Sequence, residues 1–366
     1  MSQTLNREFG AIITRLIQKE TLTRKESELA FISILNNDIT EMQQGAFLAA
    51  LTAKGETSRE VAGAWQAIYD LDTTKVKLGC GIKSVDNSGT GMDSFKTFNI
   101  STAAAIIAAS GGIPMARHGA RAITSICGTV DMAEALGVDV ECMADVVANS
   151  IETAKLGLFN GMSPNIHPMA LGRILSRIYF GSTLNIAASL ANPALPSIGV
   201  RGVYSKAMIR PVAEVMQEIG YTRAIVLHGT LDDSDKGMDE ASVCGITHCA
   251  QVFETGGIHE FRIDPKKLGL AVKSPEALVP EKDIKAEARR FAALIANREN
   301  SARKDAMLLN AGLIFLAAGK SKDLEGGIEE AATLLEKGAA FKALENWVKA
   351  QNTDPEKGLK KLHGLM

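Results

Sequence analysis

Residues 85–110 hold the tightest constraint on this chain. V-D-N-S-G-T-G reads as a short strand running into a glycine turn. After T-F-N-I-S-T comes a run of small apolar residues, Ser101 to Ser110, that reads as a helix. Strand, glycine turn and helix in that order open a βαβ unit. The alternation continues with a strand at Pro114 to Arg117, a loop holding Gly119 and a helix near Val130 to Leu136. A parallel sheet follows from that rhythm. Ala224 to Leu227 adds a buried strand ending at His228-Gly229, and 283–298 and 303–350 carry long helices. Upstream the period is helical: Phe9, Ile12, Ile13 and Ile17 share one face. Thr23, with Glu26 three residues on, has the capping-box pattern, and Ser58 reads as a second N-cap. Residues 169–190 are again helical. The expected fold is α/β. A small helical domain, 1–75, is completed by about 169–190. A larger domain, 76–366, has a mainly parallel central sheet and C-terminal helices.

A hydrophobic fraction of 46% with 22% charged residues suits a packed core. Forty basic against 42 acidic residues leave a net charge of −2, so no broad field favours nucleic acid or an anionic membrane. Five scattered cysteines do not make a disulfide framework, which points to a reducing cytoplasm. Cys244, His248 and Cys249 lack the paired spacing of a zinc site and read as buried small residues. The opening MSQTLNREFG has no apolar leader segment. Ala103 to Ala109 and Ala311 to Ala318 are too short to cross a bilayer. A cytoplasmic protein is expected.

Three segments carry chemistry. In the first, glycines after the strand let backbone N–H groups approach an anion, and Asn99, Ser101 and Thr102 open a helix whose N-terminus favours phosphate. It is neither a G-x-G-x-x-G nor a P-loop pattern. In the second, Arg117-His118-Gly119-Ala120-Arg121 and then Thr124-Ser125 offer cations and hydroxyls to a multiply charged anion. A solvated basic loop would look the same. In the third, Asp232-Asp233-Ser234-Asp235 and Gly237-Met238-Asp239-Glu240 follow a strand. Carboxylates so placed can hold Mg²⁺ beside a phosphorylated substrate, or can simply be solvated. All three fall at the carboxyl ends of strands, where open α/β sheets bind ligands.

These residues resemble a known family. Asp86 to Thr102 is similar to the D-x-x-G-T-G-G-D…T-F-N-I-S-T motif of anthranilate phosphoribosyltransferases. Arg117 to Arg121 resembles their K-H-G-N-R, His167-Pro168 their H-P, Leu190 to Pro193 their L-x-N-P, and Gly237 to Glu240 their G-L-D-E. The resemblance runs nearly the whole chain in order, from Gln44 to Leu48 and Lys54 to Thr57 through to Arg303–Ala311. The same fold occurs in pyrimidine nucleoside phosphorylases. The resemblance implies a homodimer paired through the helical domain. It implies binding of phosphoribosyl pyrophosphate (PRPP) with Mg²⁺. The PRPP set would be Gly89, Thr90, Gly91, Asp93, Thr97, Asn99, Ser101 and Thr102, with Arg117 and Ser125. The acceptor, a small aromatic amine, would meet His118, Gly119, Ala120 and His167. Ser101, Asp239 and Glu240 would be the metal set. No covalent nucleophile is implied.

The departures lie mostly on the acceptor side. Met92 stands where the family has a glycine, Arg117 where it has lysine, and Ala120 where it has asparagine. The family's acceptor-side arginine has no counterpart in Phe180 to Asn185, and Ala188-Ser189 replaces its G-P. Arg173 or Arg177 could substitute from the preceding helix. Extra acidic sequence stands between Gly229 and Gly237. Anthranilate is therefore the first candidate acceptor, with another aromatic or heterocyclic acceptor beside it. A phosphorylase, or a non-catalytic relative that binds nucleic acid or another anion, stays open.

Overall fold

The computed structural model describes residues 3–122, 127–232, 234–270 and 274–366. Four helices come first: α1 (Gln3–Ile17), α2 (Arg24–Leu35), α3 (Glu41–Lys54) and α4 (Ser58–Leu71). Then strand and helix alternate: β1 (Val85–Gly89), α5 (Ile100–Ser110), β2 (Met115–Gly119), α6 (Thr129–Ala135), α7 (Ala144–Ala154) and β3 (Leu156–Asn160). Next are α8 (Leu171–Ile178), α9 (Thr183–Leu190), β4 (Ile198–Gly202), α10 (Ile209–Glu218), β5 (Arg223–Leu231), β6 (Ser234–Met238), β7 (Thr247–Val252) and β8 (Ile258–Ile263). Five helices close the chain: α11 (Ile284–Ile295), α12 (Ala302–Ala317), α13 (Leu324–Glu336), α14 (Ala339–Ala350) and α15 (Pro355–His363).

One sheet runs β3-β2-β1-β4-β5-β7-β8, with β6 paired to β5. The five strands from β3 to β5 are parallel, and β6, β7 and β8 are joined antiparallel. This is the expected α/β architecture with a mainly parallel sheet. Alternate residues of each strand serve the two faces. Val85, Met115, Ile198, Val200, Ile225 and Leu227 join the core shared with α5 and the C-terminal helices. On the other face Ala224, Val226 and Val252 join a core that holds α1 to α4, α8, α9 and α10.

Sequence periodicity does not reveal β3, β4, β7 or β8. β3 and β4 are five residues each and lie wholly buried, so they carry no alternation. Asp232, just past β5, and residues 234–236 of β6 are exposed, Asp232 faces Lys266 at 3.7 Å, and Asp233 lies outside the described residues. Thr23 caps α2 with the expected box through Glu26. The second cap lies one residue earlier than expected: Thr57 caps α4 with Glu60, and Ser58 is its first helical residue. Cys244 and Cys249 are buried, and His248 lies between them in sequence on β7.

The helical bundle and the sheet meet at a built seam. Trp65 Nε1 donates to the Leu190 carbonyl at 2.9 Å. Asp72, at the end of α4, accepts from the N–H groups of Met169, Ala170 and Leu171 at 2.5–2.9 Å, capping α8 from a distance. No described helix is long and apolar enough to cross a membrane.

Candidate active site

The carboxyl ends of β1, β2, β4 and β5 converge on one region. β1 ends in the Gly89-Thr90-Gly91 turn, which bends back over β4. Thr90 N–H donates to the Gly202 carbonyl at 3.0 Å, and the Thr90 hydroxyl oxygen accepts from Tyr204 N–H at 3.1 Å. Gly91 is in the left-handed region, and so is Met92 at φ 63°, a conformation that costs a side chain of this size. Gly91 N–H donates to Asp239 Oδ2 at 2.7 Å, so an anionic oxygen already sits on the loop. The fit needs glycine: a Cβ on Gly89 or Gly202 would collide with the side chain or backbone of Asp239.

Asp93, Asp239 and Glu240 bring carboxylate oxygens within 4.8 Å of one another. All three are buried or nearly so. Burial first, and then repulsion by Asp239, push Asp93 up to about 6 despite Lys96 at 2.7 Å. Glu240 is also held well above the usual carboxylate range, by burial and by the other two carboxylates, while Thr97 Oγ1 donates to it at 3.3 Å. Asp93 and Glu240, which resist ionising, crowd against Asp239, and such a cluster suits a divalent cation, which relieves both desolvation and repulsion. The sequence reading placed Asp239 and Glu240 here and assigned Asp93 to the PRPP loop. The structure brings Asp93 into the same cluster.

Helix α5 starts beside this cluster. Asn99 stands at its N-cap without a side-chain cap bond and donates instead to the Cys127 carbonyl at 3.3 Å. Asn87 Nδ2 donates to the Ser101 carbonyl at 3.0 Å, tying β1 to the helix start. Arg117 is buried beneath that turn. Its Nη1 donates to Thr102 Oγ1 at 2.7 Å and its Nε to the Asn87 carbonyl at 3.0 Å, so it braces the turn from the sheet side. Burial lowers it to about 10, with Asp86 and Glu240 opposing. Ser125 lies outside the described residues.

The other face of β2 carries His118. Its Nε2 stands 3.1 Å from His167 Nε2, and its Nδ1 is 3.4 Å from the Ser189 carbonyl. His167 Nδ1 lies 2.5 Å from the Asp72 carbonyl. A carbonyl only accepts, so Nδ1 of His167 bears the proton and its Nε2 offers a lone pair. Burial holds His118 down at about 3, with His167 and Arg201 adding to the effect. Gly119 is half-buried and Ala120 is exposed just beyond them.

Sequence reasoning missed Lys96, Asn310 and Arg201. Asn310 of α12 donates to the Ala241 carbonyl at 2.9 Å and accepts from its N–H at 3.0 Å, holding the segment after Glu240 in place. Arg201 carried a readable signal, a lone charge inside the apolar run I-G-V-R-G-V.

Comparisons with known proteins agree with this geometry. Residues 81–341 match the family described as glycosyl transferase family, a/b domain, and residues 11–71 its helical bundle domain. An anthranilate phosphoribosyltransferase of Anaeromyxobacter sp. (strain Fw109-5) is 36% identical over 331 residues, 90% of this chain and 94% of the relative. That of Rubrobacter xylanophilus is 34% identical over 330 residues, with the same coverage of each. Among solved structures, the Thermus thermophilus enzyme of that name superposes with a TM-score of 0.83 at 29% identity, covering 93% of this chain and 98% of the other. The Saccharomyces cerevisiae enzyme in complex with PRPP and Mg shares the fold at a TM-score of 0.82 and 21% identity, covering 95% and 98%.

Proposed function

The chain belongs to the anthranilate phosphoribosyltransferase family, pentosyltransferase enzymes of glycosyltransferase type, and from that premise we propose that it transfers the phosphoribosyl group of PRPP to an aromatic amine, anthranilate the first candidate, as in tryptophan biosynthesis. The observation that carries this reading is the Asp93–Asp239–Glu240 cluster facing a glycine loop and the start of α5. One side of the cleft suits a pyrophosphate and the other a neutral amine.

Loop N–H groups and the α5 N-terminus receive the phosphates. Asp239 leaves the Gly91 N–H when a phosphate oxygen takes its place. Mg²⁺ held by Asp93, Asp239 and Glu240, with Ser101 nearby on α5, would supply the positive charge that neutralises the departing pyrophosphate. The C1–O bond to pyrophosphate breaks with its electron pair leaving on oxygen, and the amine nitrogen forms the new C1–N bond and releases one proton to solvent. His167 Nε2, which faces His118 Nε2 at 3.1 Å, would exchange that partner for the amine N–H and so orient the amine's lone pair toward C1. No residue forms a covalent bond to ribose. Positioning and charge stabilisation supply the acceleration.

Exposed Ile17, Leu29 and Met42 on the helical bundle support pairing of two copies there, which light scattering reads directly.

The test is calorimetry with PRPP and Mg²⁺, followed by loss of anthranilate fluorescence in the same sample. Binding with consumption is the expected result. Binding without consumption moves the acceptor to another aromatic or heterocyclic amine. An absence of PRPP binding sinks the transferase reading. Asp239→Asn together with Glu240→Gln should lower Mg²⁺-dependent PRPP affinity by about a hundredfold. Unchanged affinity would remove the metal assignment.

A further inference from the structure

Lys96 sets a positive charge directly on the carboxylate cluster. Its Nζ donates to Asp93 Oδ1 at 2.7 Å, and among the described residues no other basic side chain comes within 4.0 Å of a carboxylate oxygen of Asp93, Asp239 or Glu240. Arg117, the other cation near the start of α5, is 1% exposed and spends its guanidinium on Asn87 and Thr102. The Lys96 side chain keeps 34% of its surface exposed, while that of Asp93 keeps 6%. The backbone around it is fixed: Phe95 N–H donates to the Gly237 carbonyl at 3.0 Å and Phe98 N–H to the Leu278 carbonyl at 2.8 Å. A partly solvated ammonium on a flexible stem, rooted in a fixed backbone, can change partners without moving the loop.

The partners of the three carboxylates share a pattern. Asp93 has the Lys96 ammonium, Asp239 the Gly91 N–H at 2.7 Å, and Glu240 the Thr97 hydroxyl at 3.3 Å. All three donors come from 91–97, the stretch between the glycine turn and α5. The cluster is therefore held by groups on the side where a phosphate would sit. One monocation among three carboxylates is a weaker partner than a divalent ion with several oxygen ligands. An incoming metal and Lys96 compete for Asp93. The ammonium that the metal displaces is left three residues before Asn99, the N-cap of α5, where anions are favoured.

We propose that Lys96 is an internal cation that guards Asp93 against free metal and passes to the pyrophosphate when metal enters, so that the site takes its divalent ion and its phosphate ligand together. The proposal rests on the transferase reading and adds to it the rule by which that site fills. Its rival is an ordinary i,i+3 ion pair that stiffens the loop and touches neither ligand.

Two titrations of the full-length protein separate them, with no acceptor present and hence no turnover. One follows Mn²⁺ alone, with the free ion counted by electron paramagnetic resonance. The other follows inorganic pyrophosphate by calorimetry at saturating Mg²⁺. Lys96→Met keeps the stem and removes the charge. It should bind Mn²⁺ alone about tenfold more tightly than wild type, because the competitor is gone, and pyrophosphate about tenfold more weakly, because the displaced ammonium is gone. Opposite shifts are the signature, since a loop loosened by loss of an ion pair would weaken both. Lys96→Arg, which keeps the charge, should stay within about threefold of wild type in both titrations. Mn²⁺ affinity that is unchanged or lowered in Lys96→Met overturns the proposal. So does an unchanged pyrophosphate affinity, or a Lys96→Arg protein that behaves like Lys96→Met. A wild type that binds Mn²⁺ yet no pyrophosphate sinks the transferase reading itself, and the proposal falls with it.

Discussion

Asp86 shows how a single buried group can set a pH dependence. It is 3% exposed on β1, its Oδ1 lacks a partner, and burial pushes it up to about 6 from 3.8, with Arg201 and Arg117 pulling the other way. Because the folded value is raised, its contribution to stability is fully present below the unfolded value and is lost as pH rises through about 6. A rise of that size corresponds to about 3 kcal/mol. Asp86→Asn mimics the protonated form. Its stability should match wild type near pH 4 and exceed it by up to about 3 kcal/mol at pH 7.5. Denaturant melts at the two pH values check this, and a constant difference would refute it. At this scale the sequence was most legible where a residue type has one use. Asp239 and Glu240 beside a glycine loop are such a case, and so are His118 and His167, which the fold brings to 3.1 Å across 49 positions. Asp93 shows the limit. Its carboxylate could face the loop or the metal cluster, and only the turn at Met92, φ 63°, sends it to the cluster.

Elements were legible where the signal is local. Thr23 with Glu26 spells a cap in four residues, and α2 starts there. β3 and β4 were not, because a strand buried on both faces is specified by its neighbours and not by its own alternation. The start of α4 joins both kinds of information. Glu60 is fully buried and accepts from Leu22 N–H at 2.9 Å and Thr57 N–H at 2.8 Å, and its Oε2 meets Lys54 Nζ at 2.8 Å. It is a cap residue, an inter-helix clasp and half of a buried ion pair at once. Glu60→Ala leaves the Lys54 ammonium, 5% exposed, without its partner. That should cost about 3–5 kcal/mol. Thr57→Ala, which removes only the hydroxyl of the cap, should cost about 1 kcal/mol. Thermal melts of the pair check the ratio. Equal losses would show that the cap, and not the ion pair, dominates.

The whole molecule divides the work of the site between its two cores, and the boundary can be tested. In the proposed reading, the PRPP side hangs on the sheet and the C-terminal helices. Arg303 of α12, fully buried, pairs with Glu287 at 2.7 Å and lies 4.7 Å over the ring of Phe98, one residue before Asn99. In the same reading, the acceptor side hangs on the seam with the helical bundle. There Asp72 caps α8 with its carboxylate and receives His167 with its carbonyl. No stretch of sequence announces this. Asp72 and Leu171 are 99 positions apart, and the contact exists only because the chain returns to the bundle after β3. If the division is real, damage at the seam should reach one substrate and spare the other. Asp72→Ala unfastens three N–H groups at the start of α8 and frees the segment that carries His167. The acceptor KM should rise by about tenfold or more, since small misplacements of a positioning group are costly. PRPP affinity, measured by calorimetry, should stay within about threefold. Asp72→Asn, which keeps one acceptor oxygen at the cap, should fall between the two. A parallel loss of PRPP affinity would mean that the two sides respond as one rigid unit. An unchanged acceptor KM would mean that His167 is placed by the backbone carbonyl at position 72 together with Thr73 and His118, none of which the substitution removes.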